Sequence, residues 1–206
     1  MTAATTEPRI VLASTSRYRR ELLARVGLPF AAEAPSVPET ELAGETPSAR
    51  AARLALAKAN SIRAPHALVI GSDQVAALDG RILHKPGTED VAVRQLLACQ
   101  GRTVTFHTAF AVVATDSGRV IEHLDRTDVR FRRLERAALE RYVRREQPLD
   151  CAGSFKSEGL GVVLFEEIVS RDPTALIGLP LIALVQALKS LGVDPLEAAS
   201  PSPRAP

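Results

Sequence analysis

The stretch Leu68-Val69-Ile70-Gly71-Ser72-Asp73-Gln74 does most to limit what this chain can become. Its three apolar residues, two of them β-branched, read as a short strand covered on both faces. Such a strand belongs to a sheet flanked by helices, so the expected fold class is α/β. Gly71 and Ser72 then break the apolar run. Asp73 falls beyond the strand's carboxyl end, where open α/β sheets place their ligands. An ionised aspartate is costly to bury without a positive partner. Lys58, on the preceding helical segment, and Lys85, on the following turn, are the cations in reach. Two readings fit: a strand-end carboxylate paired with a surface lysine, or an acid poised in a site.

The length of 206 residues suits one domain, or two small lobes sharing a sheet. A formal charge of +2 is too small to argue for nucleic acid. Cys99 and Cys151 form no CxxC pair, and His66, His84, His107 and His123 form no HxxxH pair. This speaks against a disulfide framework or a zinc site and for a reducing, cytoplasmic home. Residues 1–8 lack the basic start and apolar middle of a secretion signal. The run 176–188 is too short for a bilayer and is interrupted by Pro180, so no membrane partner is expected.

Residues 9–13 read as the first buried strand, followed by Ser14-Thr15-Ser16 and a helix with Leu22, Leu23 and Val26 on its apolar face. Ser14 or Ser16 can cap that helix. Its free amides, dipole and Arg19 and Arg20 make a phosphate cradle, or else a capped surface helix with solvated arginines. Residues 31–47, with Pro35, Pro38, Gly44 and Pro47 among Glu33, Glu39, Glu41 and Glu45, read as a loop whose acids are either solvated or Mg²⁺ ligands. Thr46-Pro47 opens a helix to about residue 62. Asp79-Gly80 turns a hairpin between 75–78 and 81–83. Thr88 caps a helix to residue 100 with Val91, Leu96 and Leu97 inward. A long hairpin (104–114 and 119–131), an amphipathic helix (134–145), a glycine-rich segment (148–161), a strand (162–165), a turn (171–174) and a buried helix (180–191) complete the globular part. Residues 1–8 and the Pro/Ala/Ser-rich 195–206 are expected to be disordered. The arginines between 126 and 145 alternate with Asp128, Glu135, Glu140 and Glu146, which marks a salt-bridged face rather than a nucleic-acid surface.

Five segments carry a resemblance. These are Leu-Ala-Ser-Thr-Ser-Arg-Tyr-Arg-Arg-Glu-Leu-Leu at 12–23, Gly-Ser-Asp-Gln at 71–74, Lys85-Pro86, Pro-Leu-Asp-Cys-Ala-Gly-Ser-Phe-Lys-Ser-Glu-Gly-Leu-Gly at 148–161, and Ile-Gly-Leu-Pro-Leu at 177–181. In this order they resemble the Maf family of nucleoside triphosphate pyrophosphatases, over nearly the whole of 9–194. The resemblance implies an elongated two-lobed α/β fold, a mixed sheet flanked by helices like that of inosine triphosphate pyrophosphatase, with the site in the cleft. It implies a nucleoside triphosphate substrate cleaved to the monophosphate and pyrophosphate with a divalent cation (Mg, Mn or Co), and a homodimer.

Matched one at a time, Asp73 stands at the family's proton acceptor, and Ser14, Ser16 and Arg19 at phosphate-binding positions. Glu39, Lys58 and Lys85 match the charged residues around the triphosphate, with Glu39 and Asp73 at the metal. Pro38 departs from the Asp usual before that Glu. Tyr18, Gln74 and Glu158 resemble the branch acting on 7-methyl-GTP, where the aromatic is commonly Trp; the thymidine and uridine triphosphate branch carries Arg, Thr and Gln there. The alternatives are a housecleaning pyrophosphatase for other nucleotides such as dTTP or UTP, and a regulatory binding protein linked to septum formation.

Overall fold

The computed structural model describes residues 8–197. A single mixed sheet holds seven strands in the order β2-β1-β3-β5-β6-β7, with β4 paired to β3 off this path. The strands are β1 (Arg9–Ala13), β2 (Phe30–Glu33), β3 (Ala67–Leu78), β4 (Arg81–Leu83), β5 (Thr103–Ala114), β6 (Val120–Phe131) and β7 (Phe165–Ser170). Five helices cover it: α1 (Arg17–Ala24), α2 (Pro47–Ser61), α3 (Glu89–Cys99), α4 (Arg136–Glu146) and α5 (Leu181–Ser190). Among the described residues no helix is long and apolar enough to cross a membrane.

The site follows from strand length. β3, β5 and β6 are each 12 residues long. One face of this long ribbon carries two separate cores. Leu68, Ile70, Phe110 and Val112 pack under α1 and α5, while Ala76, Leu78, Val104 and Phe106 pack under α3 and α4. Between them the same face turns polar at Ser72, Gln74 and Thr108, so the two lobes meet over a polar floor. Helix α2 runs behind the junction, seating Ala51, Ala55 and Ala59 against the opposite face.

Two expectations are corrected here. β3 does not end at Ile70; it continues through Asp73, because β5 pairs with it from Leu68 to Leu78. What ends is its other neighbour. β1 pairs with β3 only as far as Gly71, and β4 pairs with it only from Ala76, leaving residues 72–75 without a strand on that side. That gap in the ladder is the cleft. Residues 160–164 form a 3-10 turn rather than a strand, and the strand there is β7.

Smaller differences have local causes. Residues 30–33, partly expected as loop, add β2 to the free edge of β1. Helix α3 buries Ala92, Val93, Leu96 and Cys99 rather than Val91 and Leu97, a rotated stripe in which small residues sit closest to the sheet. Helix α5 buries one side only, with Ile182 57% exposed. The expected disorder falls largely on residues outside those described; Pro195–Glu197 form a turn on Asp194.

Gly71 is where α2 and β3 touch. A Cβ there would stand 2.2 Å from the Ala55 carbonyl oxygen and 2.4 Å from the Ala59 nitrogen. Since both obstacles are helix backbone, Gly71→Ala must push α2 off the sheet. We expect a loss of about 3 kcal/mol of stability, read as a lower urea midpoint with an unchanged slope.

Candidate active site

The small residues of α2 bring the helix close enough for Lys58, in its last turn, to reach β3. Lys58 Nζ donates to Asp73 Oδ1 at 2.6 Å and lies 2.7 Å from Glu39 Oε1. Lys58 and Asp73 are each only 7% exposed. One ammonium is therefore shared by two carboxylates, one from the sheet and one from the acidic loop. Asp73 lies mid-strand beneath Lys58; Lys58 and Glu39 face the cavity above.

Lys58 also sets the acidity of Glu39. Its hydrogen bond, with the charges of Lys58, Lys85 and Arg19, holds the Glu39 carboxyl below its ordinary 4.5 in spite of partial burial. That carboxylate thus contributes stability above pH 4.5, which is lost as the pH falls through its lower folded value.

The loop carrying Glu39 is tied down by two arginines that the sequence reading missed. Arg50 donates to the Glu39 carbonyl at 2.8 Å, and Arg53 to the Thr40 carbonyl at 3.1 Å. Arg53 also grips both oxygens of Glu45, at 2.5 and 2.7 Å. The only signal in the sequence is their spacing of three along α2, which puts them on neighbouring turns of one face.

The turn after β1 builds the opposite wall. Ser14 Oγ accepts the Ser16 amide at 3.1 Å, and Ser16 Oγ accepts the Arg19 amide at 3.4 Å as the cap of α1. Arg19 Nε donates to the Gly178 carbonyl at 2.9 Å. Burial pulls the Arg19 guanidinium below its ordinary value, and Asp73 and Glu39 work against that fall. Its Nη groups make no hydrogen bond among the described residues, so they are available to an anion. Lys85 stands exposed on the same cavity.

A second cavity, of about 150 Å³, adjoins this one of about 490 Å³. On its floor, Gln74 Nε2 lies 3.0 Å from Thr108 Oγ1 and from the carbonyls of Ala175 and Leu176. Two carbonyls can only accept, so the amide's orientation is fixed and its Oε1 is the free end. Glu158 lines the cavity as an exposed carboxylate that accepts from the Ser157 hydroxyl at 3.2 Å. Tyr18 borders both cavities, and the Arg17 guanidinium lies 4.7 Å over its ring. Lys156 is structural: it donates to the Glu146 carbonyl at 2.8 Å, beyond the end of α4's hydrogen bonding. Cys151 is no nucleophile, since burial pushes its thiol up to about 12.

All ten residues expected at the site thus lie on this cleft or directly beneath it: Ser14, Ser16, Tyr18, Arg19, Glu39, Lys58, Asp73, Gln74, Lys85 and Glu158. No group of three or more His, Cys, Asp or Glu suited to a metal occurs among the described residues. Of the arginines between 126 and 145, Arg126 pairs with Asp128 and Arg136 with Glu140 as expected, while Arg130 pairs with Glu166 of β7 and Glu146 is taken by Lys156.

Fold and cleft together define an α/β protein with a cation-rimmed cavity that opens onto a smaller one. The chain belongs to the Maf-like protein family, whose model matches residues 9–191. It is 54% identical over 187 residues to the 7-methyl-GTP pyrophosphatase of Xanthomonas oryzae pv. oryzae (strain MAFF 311018), covering 90% of this chain and 97% of that one. It is 55% identical over 186 residues to the 7-methyl-GTP pyrophosphatase of Polaromonas sp. (strain JS666 / ATCC BAA-500), covering 89% and 85%. Among solved structures, a HAM1 protein from Coxiella burnetii aligns with TM-score 0.43 and 17% identity over 62% of this chain and 74% of that one.

Removing the shared cation isolates its role. Lys58→Met leaves Asp73 buried and unpaired, and we expect a loss of about 3 kcal/mol in denaturant unfolding. Carbon-detected NMR titration of Glu39 in this variant should show its carboxyl moved upward, since burial then acts without the opposing hydrogen bond.

Proposed function

We propose that this protein hydrolyses 7-methyl-GTP to 7-methyl-GMP and pyrophosphate. The observation that carries the reading is the pair of carboxylates, Glu39 and Asp73, drawn onto Lys58, with Lys58 and Glu39 facing a cavity rimmed by Arg19 and Lys85 and Asp73 beneath them. The two relatives described above bear the name of this activity.

In this reading water attacks the α-phosphorus in line. The bond from that phosphorus to the oxygen bridging the β-phosphate breaks, and the electron pair leaves with pyrophosphate. Asp73 orients the water and takes its proton, while Arg19 and Lys85 meet the charge gathering on the leaving oxygens. Lys58, released from the carboxylates as the triphosphate enters, turns its ammonium to a phosphate oxygen. Ser14 and the first amides of α1 hold the phosphates in place.

The donors fit a divalent ion of the magnesium type. Two carboxylates already converge on one positive centre, and such an ion takes its remaining oxygens from phosphates and water. Glu39 and Asp73 would hold it, and when bound it supplies further positive charge to the phosphate oxygens. Cytoplasmic residence and a homodimer belong to the same reading, supported by the family alone.

The narrower pocket takes the base. Methylation at N7 leaves guanine positively charged, which suits the carboxylate of Glu158 and the ring of Tyr18. Arg17 now lies over that ring, so it must swing aside for a base to stack. The free Oε1 of Gln74 accepts from a donor on the base edge.

Two measurements test the assignment. Asp73→Asn should lower kcat by about a hundredfold or more, and wild-type turnover by the folded variant would remove Asp73 from the mechanism. Pyrophosphate release across a nucleotide panel should favour 7-methyl-GTP over GTP by roughly ten- to a hundredfold in kcat/KM. Glu158→Gln should shrink that ratio; equal values in the wild type, or preference for dTTP or UTP, would contradict the substrate.

A further inference from the structure

The two cavities share five lining residues: Ser16, Tyr18, Arg19, Lys85 and Asp150. If the phosphates occupy the larger cavity and the base the smaller, the covalent order of a nucleotide puts the sugar where these five stand. Arg19 and Lys85 are cations suited to phosphate, and Tyr18 offers a ring to the base. Ser16 Oγ already accepts the Arg19 amide. Asp150 is the one acid of the five, and its charge reaches Arg17 and Tyr18 only through space. It is exposed, forms no ion pair among the described residues, and accepts only a weak bond from Cys151 Sγ at 3.4 Å.

A bare carboxylate beside a triphosphate is repulsive unless a proton donor lies between them. The vicinal hydroxyls of a ribose are such donors, and a carboxylate has an acceptor oxygen for each. Its position is also built. The Gly87 amide donates to the Leu149 carbonyl at 3.0 Å, which ties the segment bearing Asp150 to the turn bearing Lys85. Acid and cation are therefore set side by side by the backbone, one for the sugar and one for the phosphates next to it.

We propose that Asp150 is the ribose-reading residue of this site and makes the enzyme selective for ribonucleotides over deoxyribonucleotides. The proposal rests on the pyrophosphatase reading above. A site built to bond a hydroxyl rejects the analogue without it, modestly where the partner is exposed to water.

The test compares 7-methyl-GTP with its 2′-deoxy and 3′-deoxy analogues. Wild-type kcat/KM should favour the ribonucleotide over at least one of them by about tenfold. Asp150→Asn and Asp150→Ala should bring that ratio to about one by slowing the ribonucleotide alone, with the preference for 7-methyl-GTP over GTP unchanged. Both variants should keep the wild-type melting temperature, because the side chain is exposed.

Equal wild-type rates on ribo and deoxy substrates would overturn the proposal. So would variants that slow every nucleotide in the same proportion, which would put Asp150 at the phosphates instead. Calorimetric binding of 7-methyl-GMP and its deoxy analogues reads the same contact without turnover. A protein that distinguishes these ligands through Asp150 yet releases no pyrophosphate would uphold the sugar contact while the activity fails; one that binds them equally would end the proposal.

Discussion

Everything in the cleft depends on one ammonium held between two carboxylates. Lys58, Asp73 and Glu39 together carry a net charge of minus one, and two of the three are almost wholly buried. Desolvating such charges costs several kcal/mol per ion, which their attraction repays only with good geometry. A hydrophobic substitute would stabilise this place at least as well. The arrangement is held in place by Gly71, the alanines of α2 and the arginines that fasten the acidic loop. Gly71 lets the helix come close, the closeness lets Lys58 reach the sheet, and Arg50 and Arg53 bring Glu39 back to the same point.

The site's location is a consequence of sheet topology more than of any motif. Strands β1 and β4 lie on the same side of β3 but stop short of each other, so four residues of a central strand lack a neighbour there. Backbone groups left without a ladder in a protein's middle must find other partners or water. The turn 14–16 and the Lys85 turn come in from either end of this gap, and the polar side chains on the strand point to both faces of it. Asp73 therefore meets α2 on one face while Ser72 and Gln74 meet the 174–179 loop on the other. Alternation along one strand sends Asp73 to Lys58 on one face and Gln74 to the 175–176 carbonyls on the other.

Much of this was legible from residues alone because local signals were strong. Thr46-Pro47, Thr88, Asp79-Gly80 and Ser16 each carry turn or cap chemistry that needs no tertiary context, and each does the expected work. The end of β3 was misjudged for a tertiary reason. Gly71 and Ser72 look like breakers, yet Gly71 is required by the crossing helix and Ser72 lies 2.8 Å from the Ala109 carbonyl and 2.9 Å from that of Gly178. Arg50, Arg53 and Thr108 were missed because each does its work at the site through a main-chain carbonyl, which no pattern of side chains announces. The site residues came from long motifs in register, and their convergence on one cleft is something that only the coordinates could display.

The segment 174–179, which follows the turn read at 171–174, joins the two cavities' walls. Asp172, 3% exposed, accepts from the Thr174 amide and hydroxyl through Oδ1 and from the Ile182 amide through Oδ2, so it fixes the start of the segment and the first turn of α5 together. From there the carbonyls of Ala175 and Leu176 hold Gln74, and that of Gly178 receives both Arg19 and Ser72. Gly178 has φ of 130°, a conformation that L side chains rarely adopt. The Gln74 amide and the Arg19 guanidinium thus hang on carbonyls three residues apart or less in one short strut. The spacing between the two cavities is set by backbone rather than by flexible side chains, which is what a site must do if it is to measure the distance from a nucleotide's base to its α-phosphate.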